Sequence, residues 1–139
     1  MRFDEFYNEV EYIFGEDIEP EMQGSAFQMA KENGVSILSD KEINIVAMFE
    51  DEVIGALWTA WSREEFSFDV VVRKEYQRQG IGKKLVDMAI STFNQDSEAY
   101  GDEAIIKADV VNPNMEQMLL KKGFKIEDKY PGHTIMVRN

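Results

Sequence analysis

Apolar residues at the start of the chain recur at helical spacing. The first such pattern covers residues 3–14 and is followed directly by a glycine, which predicts a helix that stops there. A second pattern begins at Pro20 and ends at Asn33-Gly34, and a proline start with a glycine stop is typical of a helix. The apolar residues within 35–38 then predict a short strand.

The apolar period next falls to two residues, which is typical of strands. Residues 44–50 and 53–62 are apolar, β-rich runs separated by Asp51-Glu52, and together they predict a hairpin. A third strand is predicted over 66–72. Its alternation puts Phe66, Phe68, Val70 and Val72 on one face and Ser67, Asp69 and Val71 on the other.

The second half of the chain alternates between helical and strand patterns, with no internal repeat and no linker. We predict a helix over 81–93, a polar loop over 94–102, a strand over 104–111, a helix over 113–122 closed by Gly123, and two strands within 124–137 around Pro131-Gly132. The whole chain, 1–139, is therefore predicted to be one α/β (α+β) domain with helices on both faces of a mixed sheet.

The composition limits the kinds of catalytic chemistry that the protein can perform. The sequence has no Cys and a single His, so zinc-type chemistry would have to rest on carboxylates, and no metal is predicted. No apolar run approaches the roughly 20 residues of a membrane span, and the acidic N-terminus is unlike a signal peptide. A cytoplasmic protein without a membrane partner is the expectation.

The net charge of −12 is concentrated in the first part of the sequence. Residues 1–53 hold 14 acidic and 3 basic residues, whereas residues 54–139 hold 13 and 12. A negative field repels phosphate backbones, so nucleic acid is not expected as a partner. The acidic part either keeps the protein soluble or attracts a cationic substrate, and the sequence alone leaves both open.

One segment departs from this acidity. Between Arg73 and Lys84 there are five basic residues and one acidic residue. The segment follows the strand predicted over 66–72, contains Gly80 and Gly82, and leads directly into a predicted helix. A strand, a glycine loop and a helix N-terminus in this order favour an anion site, because backbone N–H groups point at the ligand.

Two familiar phosphate loops do not fit this segment. The P-loop pattern G-x-x-x-x-G-K-[ST] would need a hydroxyl residue after Lys83, where the chain has Lys84, and a further glycine five residues before Gly82. The dinucleotide pattern G-x-G-x-x-G would need a glycine at the position of Leu85.

The pattern that fits is Gln77-x-x-Gly80-x-Gly82 between a strand and a helix. It resembles the acyl-CoA loop of the GNAT superfamily of N-acetyltransferases, which reads Gln/Arg-x-x-Gly-x-Gly/Ala. Asn112-Pro113 followed by the Leu-Lys-Lys-Gly-Phe of 120–124 is similar to the second sequence region of that family. The resemblance covers roughly 44–137 and implies the GNAT fold, with a mixed, mostly antiparallel central sheet.

The resemblance implies acetyl-CoA as a co-substrate. Glycines let the loop backbone approach the pyrophosphate without a Cβ clash, and the preceding strand would bind the pantetheine arm through its main chain. Asn112 would hold a pantetheine amide, cap the helix that begins at Pro113, or do both. The residues implied in binding are Val70, Val71, Val72, Gln77, Arg78, Gln79, Gly80, Ile81, Gly82, Lys83, Lys84 and Asn112.

The reaction implied is direct attack of a substrate amine on an acetyl thioester. An alkyl amine with a pKa of about 10.4 is almost wholly protonated at neutral pH, so a carboxylate base would help. Asp69 is the first candidate base, because many family members carry an acidic residue on this strand, and Glu65 and Glu64 follow. The structural alternatives are a solvated turn for Glu64 and Glu65 and a paired, non-catalytic carboxylate for Asp69.

The position where the family usually has its general acid departs from the family pattern in this chain. Four residues before Gly123, where family members commonly have a tyrosine that protonates the departing thiolate, this chain has Leu119. Water, Tyr130 or His133 would have to supply that proton. An alternative that stays open is a non-catalytic GNAT-fold module that binds acyl-CoA or a protein partner.

The expected acceptor is a primary amine of a small cationic molecule or a peptide, which would suit the acidic first half of the chain. Trp58 and Trp61 lie on the hairpin strand that borders the acceptor site in the family, and alternation sends them to opposite faces. One tryptophan is therefore expected in the core and the other in the substrate cleft. Many family members dimerise, so a homodimer is an expectation from the resemblance alone.

Overall fold

The computed structural model describes residues 9–38, 40–100 and 103–139. In these ranges seven strands form one sheet in the order β1-β2-β3-β4-β5-β7-β6. All neighbouring strands are antiparallel except β4 and β5, which are parallel, so the predicted mixed, mostly antiparallel sheet is confirmed. The strands are β1 Glu11–Phe14, β2 Glu42–Phe49, β3 Glu52–Ser62, β4 Glu65–Val72, β5 Ile105–Val110, β6 Lys125–Tyr130 and β7 His133–Arg138.

Helices lie on both faces of the sheet, as predicted. They are α1 Pro20–Glu32, α2 Ile81–Tyr100 and α3 Pro113–Lys121. Val71 packs with α1 in one apolar cluster, which we call the α1 cluster. Its neighbour Val72 packs with residues of α2 and α3 in the other, the α2 cluster. The alternation predicted for β4 is therefore confirmed, because successive strand residues point to opposite faces.

The predicted hairpin of β2 and β3 is confirmed, but its turn lies one residue earlier in the chain than predicted. Glu50 and Asp51 connect the two strands, and both have positive φ angles, 48° and 63°. Two central residues in this conformation are typical of the two-residue turn whose twist matches that of antiparallel strands.

The helix predicted over 3–14 is wrong over residues 11–14, whereas Glu9 is helical. Residues 1–8 lie outside the described residues, and Glu11–Phe14 forms β1, which pairs antiparallel with β2. Tyr12 packs against the α2 cluster and Ile13 against the α1 cluster, as expected for a strand. Pairing with the edge of β2 satisfies the backbone of this segment and outweighs its helical spacing.

Two further boundaries differ from the prediction. Residues 35–38 form no strand, and the outer edge of β2 is paired with β1. Helix α2 continues through 94–100, where the polar composition predicts a loop. No glycine or proline interrupts that stretch before residue 101, so the sequence holds no stop signal there.

Candidate active site

A gap opens in the middle of the sheet where β4 and β5 diverge. Their parallel register ends at Phe68↔Ala108, although β4 continues to Val72 and β5 continues to Val110. A cavity of about 410 Å³ is lined by residues of both strands at this point. The cavity therefore lies beside main-chain groups that a continuous ladder would have paired.

The direction of the β4 main chain shows which of its groups face the gap. The N–H of Arg73 donates to the carbonyl of Ile54 on β3 over 2.7 Å. Hydrogen-bonding direction alternates along a strand, so the N–H and C=O groups of Val72 and Val70 point the other way, toward β5. The Val72 carbonyl accepts a hydrogen bond from Gln77 Nε2 over 2.9 Å. The main chain of Val70 faces the gap beyond the last β4–β5 register pair.

The glycine loop closes one end of the cavity. Arg78 and Gly80 have positive φ angles of 65° and 87°, a conformation that is easy for glycine and uncommon for other residues. Gly82 lies in the first turn of α2 and lines the cavity. A Cβ at this position would lie 3.5 Å from Val72 Cγ2 and 3.7 Å from Met115 Cε, which is ordinary van der Waals contact. Alanine would therefore fit, and a longer side chain would enter the cavity.

A network of side chains ties the loop to α3. Asn112 Nδ2 donates to Gln77 Oε1 over 3.3 Å, and Gln77 in turn holds the Val72 carbonyl. Asn112 Oδ1 accepts the N–H of Asn114 over 2.8 Å, so Asn112 is the N-cap of α3. Arg78 Nη2 lies 3.4 Å from Asn114 Oδ1. The capping role of Asn112 is confirmed, and its contact with a pantetheine amide stays a prediction.

Replacing Asn112 by aspartate is expected to separate these roles. Aspartate caps a helix as well as asparagine does, but an ionised carboxylate has no N–H to donate. We expect Asn112→Asp to keep the free energy of unfolding within about 0.5 kcal/mol of wild type and to weaken CoA binding about tenfold. Asn112→Ala should lose the cap as well, at a cost of about 1 kcal/mol. Urea denaturation and calorimetric titration with CoA measure both effects, and wild-type affinity in Asn112→Asp would contradict the prediction.

Two carboxylates line the cavity near the point of divergence, Asp69 on β4 and Asp109 on β5. The Asp69 side chain is 4% exposed, and Lys41 Nζ lies 2.6 Å from its Oδ2. Burial raises the pKa of Asp69 above its usual value of 3.8; Lys41 opposes this effect, and the charges of Asp109 and Asp40 add to it. Asp109 is half-exposed and lies 2.8 Å from Nδ1 of His133. This end of the cavity is therefore suited to accept a proton or to bind an ammonium group.

The structure brings most of the predicted binding residues to this one cavity. Ile81 is instead fully buried in the α2 cluster, Gln79 is not in the cavity wall, and Lys84 Nζ lies over the Tyr12 ring, 4.4 Å from its centre. The cofactor contacts implied for these three residues stay predictions. The predicted residues in the wall are Asp69, Val70, Val71, Val72, Gln77, Arg78, Gly80, Gly82, Lys83 and Asn112.

Glu65, the second candidate base, lies away from the cavity. It is at the start of β4 and pairs with Lys107 Nζ over 3.1 Å, and the same ammonium lies 3.3 Å from Glu127. A strand rises about 3.3 Å per residue, so Glu65 is roughly 13 Å from Asp69 along β4. Glu64 is in the exposed turn before the strand. The placement therefore favours Asp69 as the base. Glu65 forms a structural ion pair with Lys107.

The cavity wall offers no proton donor at the position where family members commonly have tyrosine. Leu119 is fully buried there. Tyr130 and His133 stack on each other, with 4.9 Å between ring centres, and lie outside the wall. His133 is nevertheless linked to the cavity through its contact with Asp109.

The two tryptophans point to opposite faces, as predicted. Trp58 is buried in the α1 cluster, whereas Trp61 stacks on Phe93 and donates its Nε1–H to Asp96 over 3.4 Å. Neither lines the cavity, so the expectation that one of them borders the substrate cleft is not met by this cavity.

Sequence reasoning missed Lys41 and Asp109. A signal for Asp109 was available, because alternation in the strand predicted over 104–111 places it off the core face. Asp109 and Asp69 each follow the last register pair, Phe68↔Ala108, on their own strand, and both line the cavity. Lys41 had no local signal, since it lies in the connection before β2 and meets Asp69 through the fold alone.

The described part of the chain contains no group of three or more His, Cys, Asp or Glu side chains that could hold a metal ion. In the same three ranges, no helix has both the length and the apolar content needed to cross a membrane.

The family profile described as "Acetyltransferase (GNAT) domain" matches residues 40–126, which is more than half of the chain. The chain therefore belongs to the GNAT acetyltransferases, and it is an acyltransferase of the GNAT type. No curated protein matches the sequence.

Solved structures of similar fold come from several organisms. Ard1 from Thermoplasma volcanium has a TM-score of 0.69 and 16% identity, over 94% of this chain and 97% of that one. The ribosomal-protein-S18-alanine N-acetyltransferase from Escherichia coli has a TM-score of 0.65 and 14% identity, over 92% of both chains. A GNAT family acetyltransferase from Elizabethkingia anophelis with acetyl-CoA bound has a TM-score of 0.63 and 18% identity, over 95% and 99%. At these identities the likeness is one of fold.

Proposed function

We propose that this protein transfers an acetyl group from acetyl-CoA to the primary amine of a small cationic molecule or a peptide. The observation that carries the proposal is the cavity between β4 and β5, which joins a glycine loop at one end to Asp69 at the other. The similar fold from Elizabethkingia anophelis has acetyl-CoA bound, which supports the choice of donor. The cytoplasmic location and the homodimer stay predictions.

The residues at the loop end fit an acyl-CoA. Gly80 and Gly82 line the cavity and leave room for a ligand close to the backbone. The first N–H groups of a helix have no partner within the helix, so those of α2 and the positive end of its dipole would face such a ligand. Arg78 and Lys83 line the same end, and their positive charges would complement the negative charge of the acyl-CoA phosphates. The main chain of Val70 would pair with the amide groups of the pantetheine arm in the manner of an added strand.

Acetyl-CoA supplies the acetyl thioester. Asp69 takes up the proton that the acceptor ammonium must lose, directly or through water, so that the nitrogen lone pair is free to form the new amide bond. Leu119 donates nothing to the departing sulfur. A thiol with a pKa of about 8.5 leaves as thiolate at a cost of about 2 kcal/mol at neutral pH, which is small enough for turnover without a dedicated acid.

The cationic acceptor is supported by the charge near the cavity. Asp69 and Asp109 both line it, and Asp40 lies close enough to act on Asp69. Since the first part of the chain is also strongly acidic, an acceptor with more than one positive charge would be attracted at long range and bound at short range.

A matched pair of acceptors tests both the reaction and the substrate class. With acetyl-CoA and release of free thiol as the readout, we expect a terminal diamine to be acetylated with a KM about tenfold lower than that of the amino alcohol of the same length. The KM of the diamine should rise with salt, because ions screen charges over about 8–10 Å at moderate ionic strength. Equal KM values would contradict the cationic acceptor. No turnover of any amine, with CoA binding intact, would favour the non-catalytic module.

A further inference from the structure

The ion pair between Lys41 and Asp69 is buried at the wall of the cavity. Lys41 Nζ donates to Asp69 Oδ2 over 2.6 Å, and the two side chains are 8% and 4% exposed. Taking two charges out of water is costly, and apolar residues of similar volume often stabilise a protein as well or better. An ion pair in this position therefore suggests a role other than stability.

The surroundings of Asp69 work against its negative charge. Asp109 faces it from β5, Asp40 precedes Lys41 in the chain, and the register partner on β3 is the apolar Trp58. Burial and both neighbouring carboxylates favour the neutral acid. Among the described residues, Lys41 is the cation that contacts Asp69 and favours the ionised form.

We propose that Lys41 is a positioning residue for the acetyl transfer, whose ammonium keeps the Asp69 carboxylate ionised and fixes its Oδ2. This inference rests on the proposed function, because it assigns Asp69 the role of base. Lys41 does not serve as the base itself, since an ammonium has three N–H donors and no lone pair.

The proton balance is simple in this arrangement. The acceptor ammonium loses one proton to Asp69, and the freed lone pair forms the bond to the acetyl carbon. The carbon–sulfur bond breaks with its electron pair on sulfur, and the nitrogen loses its second proton to the departing thiolate, directly or through water, which leaves a neutral amide and free thiol. Lys41 stays protonated throughout. Protonated Asp69 has lost its charge attraction to Lys41, and this favours release of the proton to solvent and return of the ion pair before the next turnover.

Replacing Lys41 by methionine tests the proposal through pH dependence. A base must be ionised, so kcat falls as the pH drops through the pKa of Asp69. Without Lys41 that pKa rises further, and we expect the acidic limb of the kcat profile to move up by at least about one pH unit. The KM for acetyl-CoA should stay within about twofold of wild type. Lys41→Arg should restore the wild-type limb, because guanidinium is always charged.

Lys107→Met is the matched control. It removes the lysine that pairs with Glu65, a carboxylate that is on β4 like Asp69 but lies outside the cavity, so the acidic limb should not move. Lys41→Gln keeps a hydrogen-bond donor without the charge, and it should behave like Lys41→Met if the charge is what acts. Thermal unfolding of each variant shows that it is folded at the assay temperature.

A readout independent of activity separates this inference from the proposed function. The Asp69 carboxyl carbon, followed by NMR, should titrate at a higher pH in Lys41→Met and Lys41→Gln than in wild type, and Lys41→Arg should match wild type. Coincident titration curves, or a kcat limb that does not move, would overturn the role of Lys41. Absence of turnover by the wild type would instead refute the proposed function, and the NMR comparison would still decide what Lys41 does to Asp69.

Discussion

Replacing Gly82 by leucine is expected to abolish CoA binding, with a loss of at least about 100-fold in affinity, or about 2.7 kcal/mol. A Cβ at this position already lies 3.5–3.9 Å from Val72, Met115 and Met118. The remaining carbons of a leucine side chain would therefore extend into the cavity. They would fill the space next to the N-terminus of α2, where the pyrophosphate is proposed to bind. Isothermal titration calorimetry with CoA measures the loss directly.

Two variants control for effects on the fold. Gly82→Ala adds the Cβ alone, in ordinary van der Waals contact, and should keep CoA affinity within about threefold of wild type. Gly24→Leu adds the same bulk in α1, where a Cβ meets nothing within 4 Å, and should not change affinity. If Gly82→Leu binds CoA as tightly as Gly24→Leu, the proposed position of the pyrophosphate is wrong.

Replacing Asp69 by asparagine should lower kcat by about 100- to 10,000-fold, the range typical of losing a general base. Asparagine has nearly the same shape and still offers Lys41 a carbonyl acceptor, but it cannot take up the acceptor's proton. The lysine charge is then uncompensated, so the variant should also be less stable, and it should be assayed well below its unfolding temperature. The affinity for CoA should be almost unchanged, which calorimetry checks in parallel.

Glu65→Gln is the matched control for Asp69→Asn. Both are carboxylates of β4 that pair with a lysine, but Glu65 is outside the cavity, so its substitution should leave kcat within about twofold. A similar loss of kcat in both variants would point to a structural effect of the strand rather than to proton transfer. A fully active Asp69→Asn would remove Asp69 from the mechanism.

The parts of the fold that the sequence predicts well are those with local signals. The alternation of β4, the glycines at 80 and 82, and the apolar period that starts α2 all lie within about 25 residues, and the structure brings both glycines to one end of the cavity. The role of Asn112 as a helix N-cap is predicted for the same reason, since asparagine before proline is a local helix-start signal.

The features that the sequence does not predict depend on contacts between residues that are far apart in the chain. Residues 11–14 have apolar spacing that suits a helix, yet the edge of β2 pairs with them as a strand. Lys41 and Asp69 are brought together by the sheet, with no pattern linking them. The depth of the cavity follows from where the β4–β5 register ends, and a register has no signature in either strand alone.

The divergence of β4 from β5 after Phe68 also affects how this site tolerates sequence change. Part of the proposed contact with the donor is made by the N–H and C=O of Val70, which any residue that suits a strand would supply equally well. Substitutions at that position are therefore expected to be silent for donor binding as long as the strand keeps its course. Selection would act instead on Gln77, because its side chain shapes the adjoining loop, and on Gly82, because its lack of a side chain does so too. A protein of this family could thus lose most recognisable sequence along the strand and still bind its donor in the same way.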